Sequence, residues 1–255
     1  MQFTHLQKQH LYENGYIHVP GVVPRIRLDA ALRAINHGVG QGIDPAQLPK
    51  YRAQSYVPEV SGTPPITDLL MGTPAWELVE SLIGAGQVLP VRGGQIALRF
   101  PGFQDPPALP RAHIDGLPTP TNGVAPGTLG SFTLLLGILL SDLPEPNAGN
   151  FTVWPGSHRV LEKHLQEVGT DSLLNGGGMP DVPLGEAQQI TGKAGDIVVC
   201  HFQLAHGIAP NVSPNIRYAV FFRLFHKDHA AHKQASLTDI WLAWPGIRDF
   251  KGDVI

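Results

Sequence analysis

The stretch PRAHIDG, residues 110–116, sets a histidine and an aspartate two positions apart. Side chains alternate faces along an extended segment, so His113 and Asp115 project to one side about 7 Å apart, and one metal ion can sit between them. Ile114 then faces the other way. Two histidines and one carboxylate form the set that binds Fe(II) and leaves positions open for substrate and oxygen. The pair therefore calls for a second histidine from elsewhere in the chain.

The chain has 12 histidines. Those of FHKDHAAHK, His226, His229 and His232, lie in a charged segment and read as solvated. His158 in WPGSHR reads as a hydrogen-bonded turn residue, and His201 is a further rival. His206 is favoured by its surroundings. A strand-like run, DIVVCHF, leads towards it, and a Pro-, Asn- and Ser-rich turn leads out to Arg217 and a second such run. That order predicts a hairpin-like pair carrying Arg217 into the same cavity, where its planar fork can hold a carboxylate through two parallel hydrogen bonds. Asn211 predicts an Asx-type turn between the two.

Other residues border these. Gln95 and Arg99, four apart in GGQIALRF, share a face with Ala97, and that face is either cavity wall or a solvent-facing sheet edge. Tyr56, in YRAQSYVPEVSG, and Trp154, before Pro155, are candidate substrate contacts, though Trp154 also reads as core. The loop TPTNGVAPGTLG after Asp115 is a second candidate wall. Cys200 sits mid-strand with no activating pattern and reads as a small buried hydrophobe.

Two kinds of element must position these groups. Up to residue 86 helices dominate. HLQKQHLYEN is a helix with Thr4 as its N-cap and Gly15 as its stop, and GYIHVPG is a short strand and turn. PRIRLDAALRAINHG sets Leu28, Ala31, Leu32 and Ile35 at helical spacing with Gly38 just past the end, and PAWELVESLIG puts Trp76, Val79, Leu82 and Ile83 on one face. After residue 87 strands take over: VLPVRGGQIALRF, SFTLLLGILLSDL, NFTVWPG, DIVVCHF and RYAVFFRLF, each bounded by Gly, Pro, Asn or Asp. One helix, RVLEKHLQEVG, interrupts them, followed by the glycine-rich NGGGMPDVP, a flexible loop. The succession argues for a β-sandwich or barrel with helices outside it. One domain is the economical division, with a mainly helical layer over 1–86, the strand core over 87–226 and a tail over 227–255 packed on it.

Composition narrows the function classes. A chain of 255 residues buries enough surface to fold without a disulfide or structural metal, so a metal here is functional. With 15% charged residues and a net charge of -3, there is no basic field for nucleic acid or anionic lipid, which leaves a small molecule as partner. The longest apolar run, FTLLLGILL, is too short to span a membrane. A single cysteine and a start without a basic-then-apolar leader set the expectation of a cytoplasmic protein.

Several ordered motifs resemble the phytanoyl-CoA dioxygenase family of Fe(II)- and 2-oxoglutarate-dependent oxygenases. They are YENGYIHVPGVV near the start, the His-x-Asp at His113 and Asp115, AGNFTVWPGSHR at 148–159, AGDIVVCHFQLAHG at 194–207 and PNVSPNIR at 210–217. The resemblance covers most of the chain. It implies a mainly β fold with peripheral helices, a double-stranded β-helix or cupin-like jelly roll. It implies iron held by His113, Asp115 and His206, and the distal carboxylate of 2-oxoglutarate bound by Arg217. Fe(II), 2-oxoglutarate and O2 would then oxidise an unactivated C–H bond, by hydroxylation or ring formation, with release of succinate and CO2. Halogenating relatives carry a small residue in place of the aspartate, so Asp115 implies oxygenation. The family's use of the Gln95–Arg99 strand for cosubstrate contacts favours the cavity for those two residues. The family often has Ser two residues after the distal histidine, where this chain has Ile208. Thr133 or Thr152 is then a substitute anchor for 2-oxoglutarate, and each also reads as an ordinary strand residue.

Two rivals use the same three residues: a zinc hydrolase with a zinc-bound water and a non-catalytic ligand-binding barrel. Arg217, and the lack of an evident second carboxylate beside the triad, argue against the hydrolase. Family substrates include acyl-CoA, compatible solutes, phosphonates and secondary metabolites, sugar-containing natural products among them. A CoA thioester would need a basic entrance. With no run of Lys and Arg, the expectation is a neutral or polar small metabolite.

Overall fold

The computed structural model describes residues 1–102, 106–175, 178–248 and 250. Gly176 and Gly177 of the glycine-rich loop, and residues 251–255 of the tail, lie outside the described residues.

The helical layer is set by its caps. Helix α1 (His5–Asn14) begins at Thr4, whose hydroxyl accepts the Gln7 N–H while the Gln7 side chain accepts the Thr4 N–H. It stops at Gly15, left-handed at φ 77°, whose N–H returns to the Leu11 carbonyl. Strand β1 (Tyr16–Val19) follows, then α2 (Arg25–Gly40). A 3-10 turn at Pro45–Gln47 leads into α3 (Leu48–Ala53), α4 (Pro64–Met71) and α5 (Pro74–Ile83). Helices α3 and α4 are not among the expected ones, and both carry prolines at their starts. These prolines sit in the first turn, where a missing N–H costs nothing.

The strands alternate with shorter helices: β2 (Gln95–Arg99), β3 (Leu134–Leu139), β4 (Phe151–Val153), α6 (Ser157–Val168), α7 (Ser172–Asn175), β5 (Gln188–Gln189), β6 (Ile197–His201), β7 (His206–Ile208) and β8 (Arg217–Leu224). Two short helices, α8 (His229–His232) and α9 (Pro245–Arg248), close the described chain. A major antiparallel sheet runs β1-β6-β3-β8-β2, and a minor one runs β5-β4-β7.

Alternation along the strands divides the core in two. Leu134, Leu136 and Ile138 of β3, with Val220 and Phe222 of β8, face the helical layer and pack with Leu28, Leu69 and Leu82. Leu135, Ala219 and Phe221 face the minor sheet and pack with Phe151 and Val153. All six residues of β3 are buried, which is why its sequence reads as one apolar run rather than an alternation. The same two-residue period turns Arg217 and Arg223 of β8, and Gln95 and Arg99 of β2, towards the space between the sheets.

Two expectations need correction. Gly38 does not end α2, which continues to Gly40; a Cβ on Gly38 would lie 2.1 Å from Cγ1 of Val57. Its role is close packing, and Val57 itself holds φ 46°, a strained value for a β-branched residue. Nor do the strands around His206 and Arg217 form a hairpin. β7 pairs with β4 in the minor sheet while β8 pairs with β2 and β3 in the major one, so the intervening loop crosses between sheets. Gly38→Ala is therefore expected to destabilise the fold by about 1–3 kcal/mol, reversing the roughly 1 kcal/mol that helix propensity alone would add. Adding Val57→Gly should recover most of that loss, as urea titration of the single and double variants would show.

Candidate metal and anion site

His113 and His206 exchange backbone hydrogen bonds, each N–H reaching the other's carbonyl at 2.9 Å. This single antiparallel bridge sets the rings 4.5 Å apart between centroids. Asp115 is not in a continuing strand, as the alternation argument expects, but in the turn that follows. Gly116 makes that turn at φ 87°, where a Cβ would come 2.6 Å from the Gly130 carbonyl oxygen. The side chains still converge: Asp115 Oδ1 lies 3.6 Å from Nε2 of both His113 and His206. One ligand atom from each of the three lies within 4.8 Å of the others, the only such group among the described residues. The Nδ1 of His206 lies 2.9 Å from the Leu204 carbonyl, which places the ring proton there and leaves the Nε2 lone pair facing the cluster.

Asp115 has a partner that sequence reasoning missed. Arg223 donates from Nε and Nη2 to its Oδ2 at 3.0 and 2.7 Å, and from Nη1 to Gln95 Oε1 at 2.8 Å. Burial would raise the Asp115 carboxyl, but the Arg223 charge and hydrogen bonds with the two histidines outweigh it and hold the group well below the usual carboxylate range. With Oδ2 occupied, Oδ1 is the oxygen left to a metal. The available signal was phase: Arg223 lies an even number of residues from Arg217 in one strand, so both must face the same way.

Arg217 is buried, at 2% exposure, although it is charged. Its Nε donates to the Gly149 carbonyl at 2.8 Å and its Nη1 to the Ala97 carbonyl at 3.0 Å. Its Nη2 is buried and has no hydrogen-bond partner among the described residues. Burial, then the neighbouring charge of Arg99, pushes its guanidinium down to about 9. Asn211 pins the crossing loop: Oδ1 accepts from the Ser213 N–H at 3.1 Å, and Nδ2 donates to the carbonyls of Arg99 and Asn215 at 2.8 and 2.7 Å. Arg217 and the three-residue cluster line one cavity of about 510 Å³.

The chain is similar to known proteins. Residues 110–219 match the phytanoyl-CoA dioxygenase (PhyH) family. The matched span holds the cluster and Arg217. Solved structures share the fold. The non-heme alpha ketoglutarate dependent carbocyclase SnoK from nogalamycin biosynthesis is 20% identical, with 88% of this chain and 84% of that one covered and a TM-score of 0.56. HygX from Streptomyces hygroscopicus, with nickel, 2-oxoglutarate and hygromycin B bound, is 17% identical over 88% of each chain, with a TM-score of 0.56. The non-heme monooxygenase ThoJ is 17% identical over 86% of this chain and 77% of that one, with a TM-score of 0.57. No curated protein sequence matches the chain. The architecture is the cupin-like double-stranded β-helix of these enzymes, with helices packed outside it.

The remaining candidates separate cleanly. Gln95, Arg99 and Tyr56 line the cavity, so the β2 face is cavity wall rather than a solvent edge. Parts of both candidate wall loops, Arg52 and Ala53 from one and Thr119 and Asn122 from the other, line it too. Thr133, Thr152 and Trp154 do not. The Thr133 hydroxyl accepts the His226 N–H at 2.9 Å, and the Thr152 hydroxyl donates to the Asn150 carbonyl at 3.3 Å, so each is engaged by backbone. Trp154 is buried behind Gly207. His229, expected in solvent, is buried against Ser131. His158 and His201 are core residues beside Trp241, bonded to the carbonyls of Tyr12 and Ile240 at 3.1 and 2.8 Å. Burial also pushes the Cys200 thiol up, as expected of an inert core cysteine. No helix among the described residues is long and apolar enough to cross a membrane.

Two measurements test this arrangement. Arg223→Gln should weaken divalent-metal binding about 10–100-fold, the usual loss when a ligand's supporting partner is removed, as read by calorimetry with Fe(II) or Ni(II). Burial holds His201 down at about 4 and His158 well below its normal range. As pH falls from about 6.5, the unfolded chain takes up protons that the folded histidines refuse. Stability of the metal-free chain should drop between pH 6.5 and 5 by roughly 1 kcal/mol per unit for each histidine, and less steeply in His201→Gln. Asp115 stays ionised in both states across this window and adds no slope.

Proposed function

We propose that this chain is an Fe(II)- and 2-oxoglutarate-dependent oxygenase that oxidises a C–H bond of a small metabolite. The observation that carries this reading is the buried, unpartnered Nη2 of Arg217 in the same cavity as a two-histidine, one-carboxylate cluster. A buried charged donor without a partner is costly unless something anionic completes it, and 2-oxoglutarate is an acid that also chelates metal. The residues present fit both groups.

In this reading His113, Asp115 and His206 hold the iron. Iron bound with 2-oxoglutarate and O2 supplies the oxidation, with succinate and CO2 as coproducts. Arg217 receives the distal carboxylate, already oriented by the carbonyls of Gly149 and Ala97, so little side-chain freedom is lost on binding. Arg99 lies in register with Arg217 across β2 and β8, and Ile208 offers no hydroxyl. Gln95 is held by Arg223 and borders the Asp115 end. Asp115 keeps the carboxylate position filled, which favours oxygenation over halogenation. The fold relatives include a carbocyclase, an epimerase and a monooxygenase, and ring formation and hydroxylation both fall within the reading. A zinc hydrolase is disfavoured because Asp115 is the only carboxylate residue lining the cavity among the described residues, and no second one stands ready as general base.

Adding Fe(II) and 2-oxoglutarate without oxygen should produce a weak visible metal-to-ligand absorption band. The band should vanish in His206→Ala and require at least tenfold more 2-oxoglutarate in Arg217→Ala. A correctly folded wild-type chain that binds iron yet shows no band would overturn the assignment.

A further inference from the structure

The expectation of a neutral or polar substrate rests on the net charge of -3 and the absence of Lys and Arg runs in the sequence. Folding assembles what the sequence disperses. Five of the chain's eleven arginines line the one cavity that holds the metal cluster: Arg52 of α3, Arg99 of β2, Arg111 before His113, and Arg217 and Arg223 of β8. No lysine lines it, and Asp115 is the only acidic residue that does so among the described residues. This concentration sits in a chain whose net charge is -3.

Two of the five are already assigned. Arg223 is paired with Asp115, and Arg217 takes the distal end of the cosubstrate. Arg52, Arg99 and Arg111 have no side-chain hydrogen bond or ion pair with the described residues. The charges also oppose one another: burial first, then the charge of Arg52, pulls the Arg99 guanidinium down. Guanidiniums so arranged form a receptor for a planar or tetrahedral anion, which they bind through forked hydrogen bonds. One five-carbon diacid does not exhaust them or fill about 510 Å³, a volume within the range of pockets that enclose drug-sized ligands.

We propose that the substrate is itself a compact acid, whose carboxylate or phosphate is received by Arg52 and Arg99, with Arg111 supplying a third guanidinium from the segment before His113. The inference rests on the oxygenase reading for the place of 2-oxoglutarate, and on the arginines alone for the second anion. Holding the acid at the arginine end directs the remainder of the molecule towards the metal cluster. Specificity then comes from the anion's position relative to the C–H bond attacked.

The test titrates inorganic phosphate and, separately, benzoate into the anaerobic complex with Fe(II) and saturating 2-oxoglutarate, following heat and the visible band together. At least one probe should bind while the band persists, and its affinity should fall about tenfold or more in Arg52→Gln and in Arg111→Gln, both exposed positions. Whichever probe binds more tightly identifies the substrate's anion as phosphate or carboxylate. Binding of neither probe, binding only with loss of the band by expulsion of 2-oxoglutarate, or equal affinity in the variants would each overturn the proposal. Arg52-dependent binding in a chain that forms no band would uphold the anion site while removing the oxygenase reading.

Discussion

Two backbone hydrogen bonds between His113 and His206 hold the candidate centre together. They join the segment that follows β2 to the first residue of β7 in the minor sheet, and no side-chain chemistry is needed to make them. Everything else at the site is placed relative to that bridge. Gly116 turns the chain so that Asp115 comes back to the two rings, and the Leu204 carbonyl fixes which nitrogen of His206 is free. Because the bridge is made of main chain, the ligand geometry exists before any metal arrives, the condition under which coordination loses least to ordering.

The major sheet contributes charge rather than ligands. Its β8 strand has helix-facing apolar residues on one side, and on the other side Arg217 and Arg223 flank Ala219 and Phe221. One guanidinium is neutralised by Asp115; the other ends in an unpaired donor. A single strand thereby holds Asp115 of the candidate metal cluster at one end and presents an unpaired guanidinium nitrogen at the other. The spacing between them is fixed by sheet geometry at about 3.4 Å per residue, so the distance from the cluster to that donor is not free to drift.

Much of the candidate site could be read from the chain because its members lie at motif spacings: His113 beside Asp115, and Arg217 a short turn after His206. Caps such as Thr4 and Gly15 were equally local and equally legible. What escaped depends on registers that one sequence does not print. Arg223 becomes meaningful only when β8 is given its phase and Asp115 its turn. The arginine cluster draws on four segments, none of them basic in itself. Thr133 and Thr152 had suitable hydroxyls, but backbone groups engage both. Gly38 carried a helix-stop signature, and only the position of Val57 across the packing shows why glycine is there. The hairpin expectation failed for a related reason: a turn rich in proline and asparagine joins neighbouring strands or strands in facing sheets equally well.

The unfinished hydrogen bonding of Arg217 reaches beyond recognition. A fold that buries a charged donor without a partner gives up stability until an anion supplies one. An acid that seats there binds the folded chain and not the unfolded one, and at a hundred times its dissociation constant such a ligand adds about 2.7 kcal/mol to the unfolding free energy. If the proposed reading holds, the abundance of that acid in a cell sets not only turnover but how much of the chain escapes proteolysis. Metabolic supply would then control the lifetime of the protein.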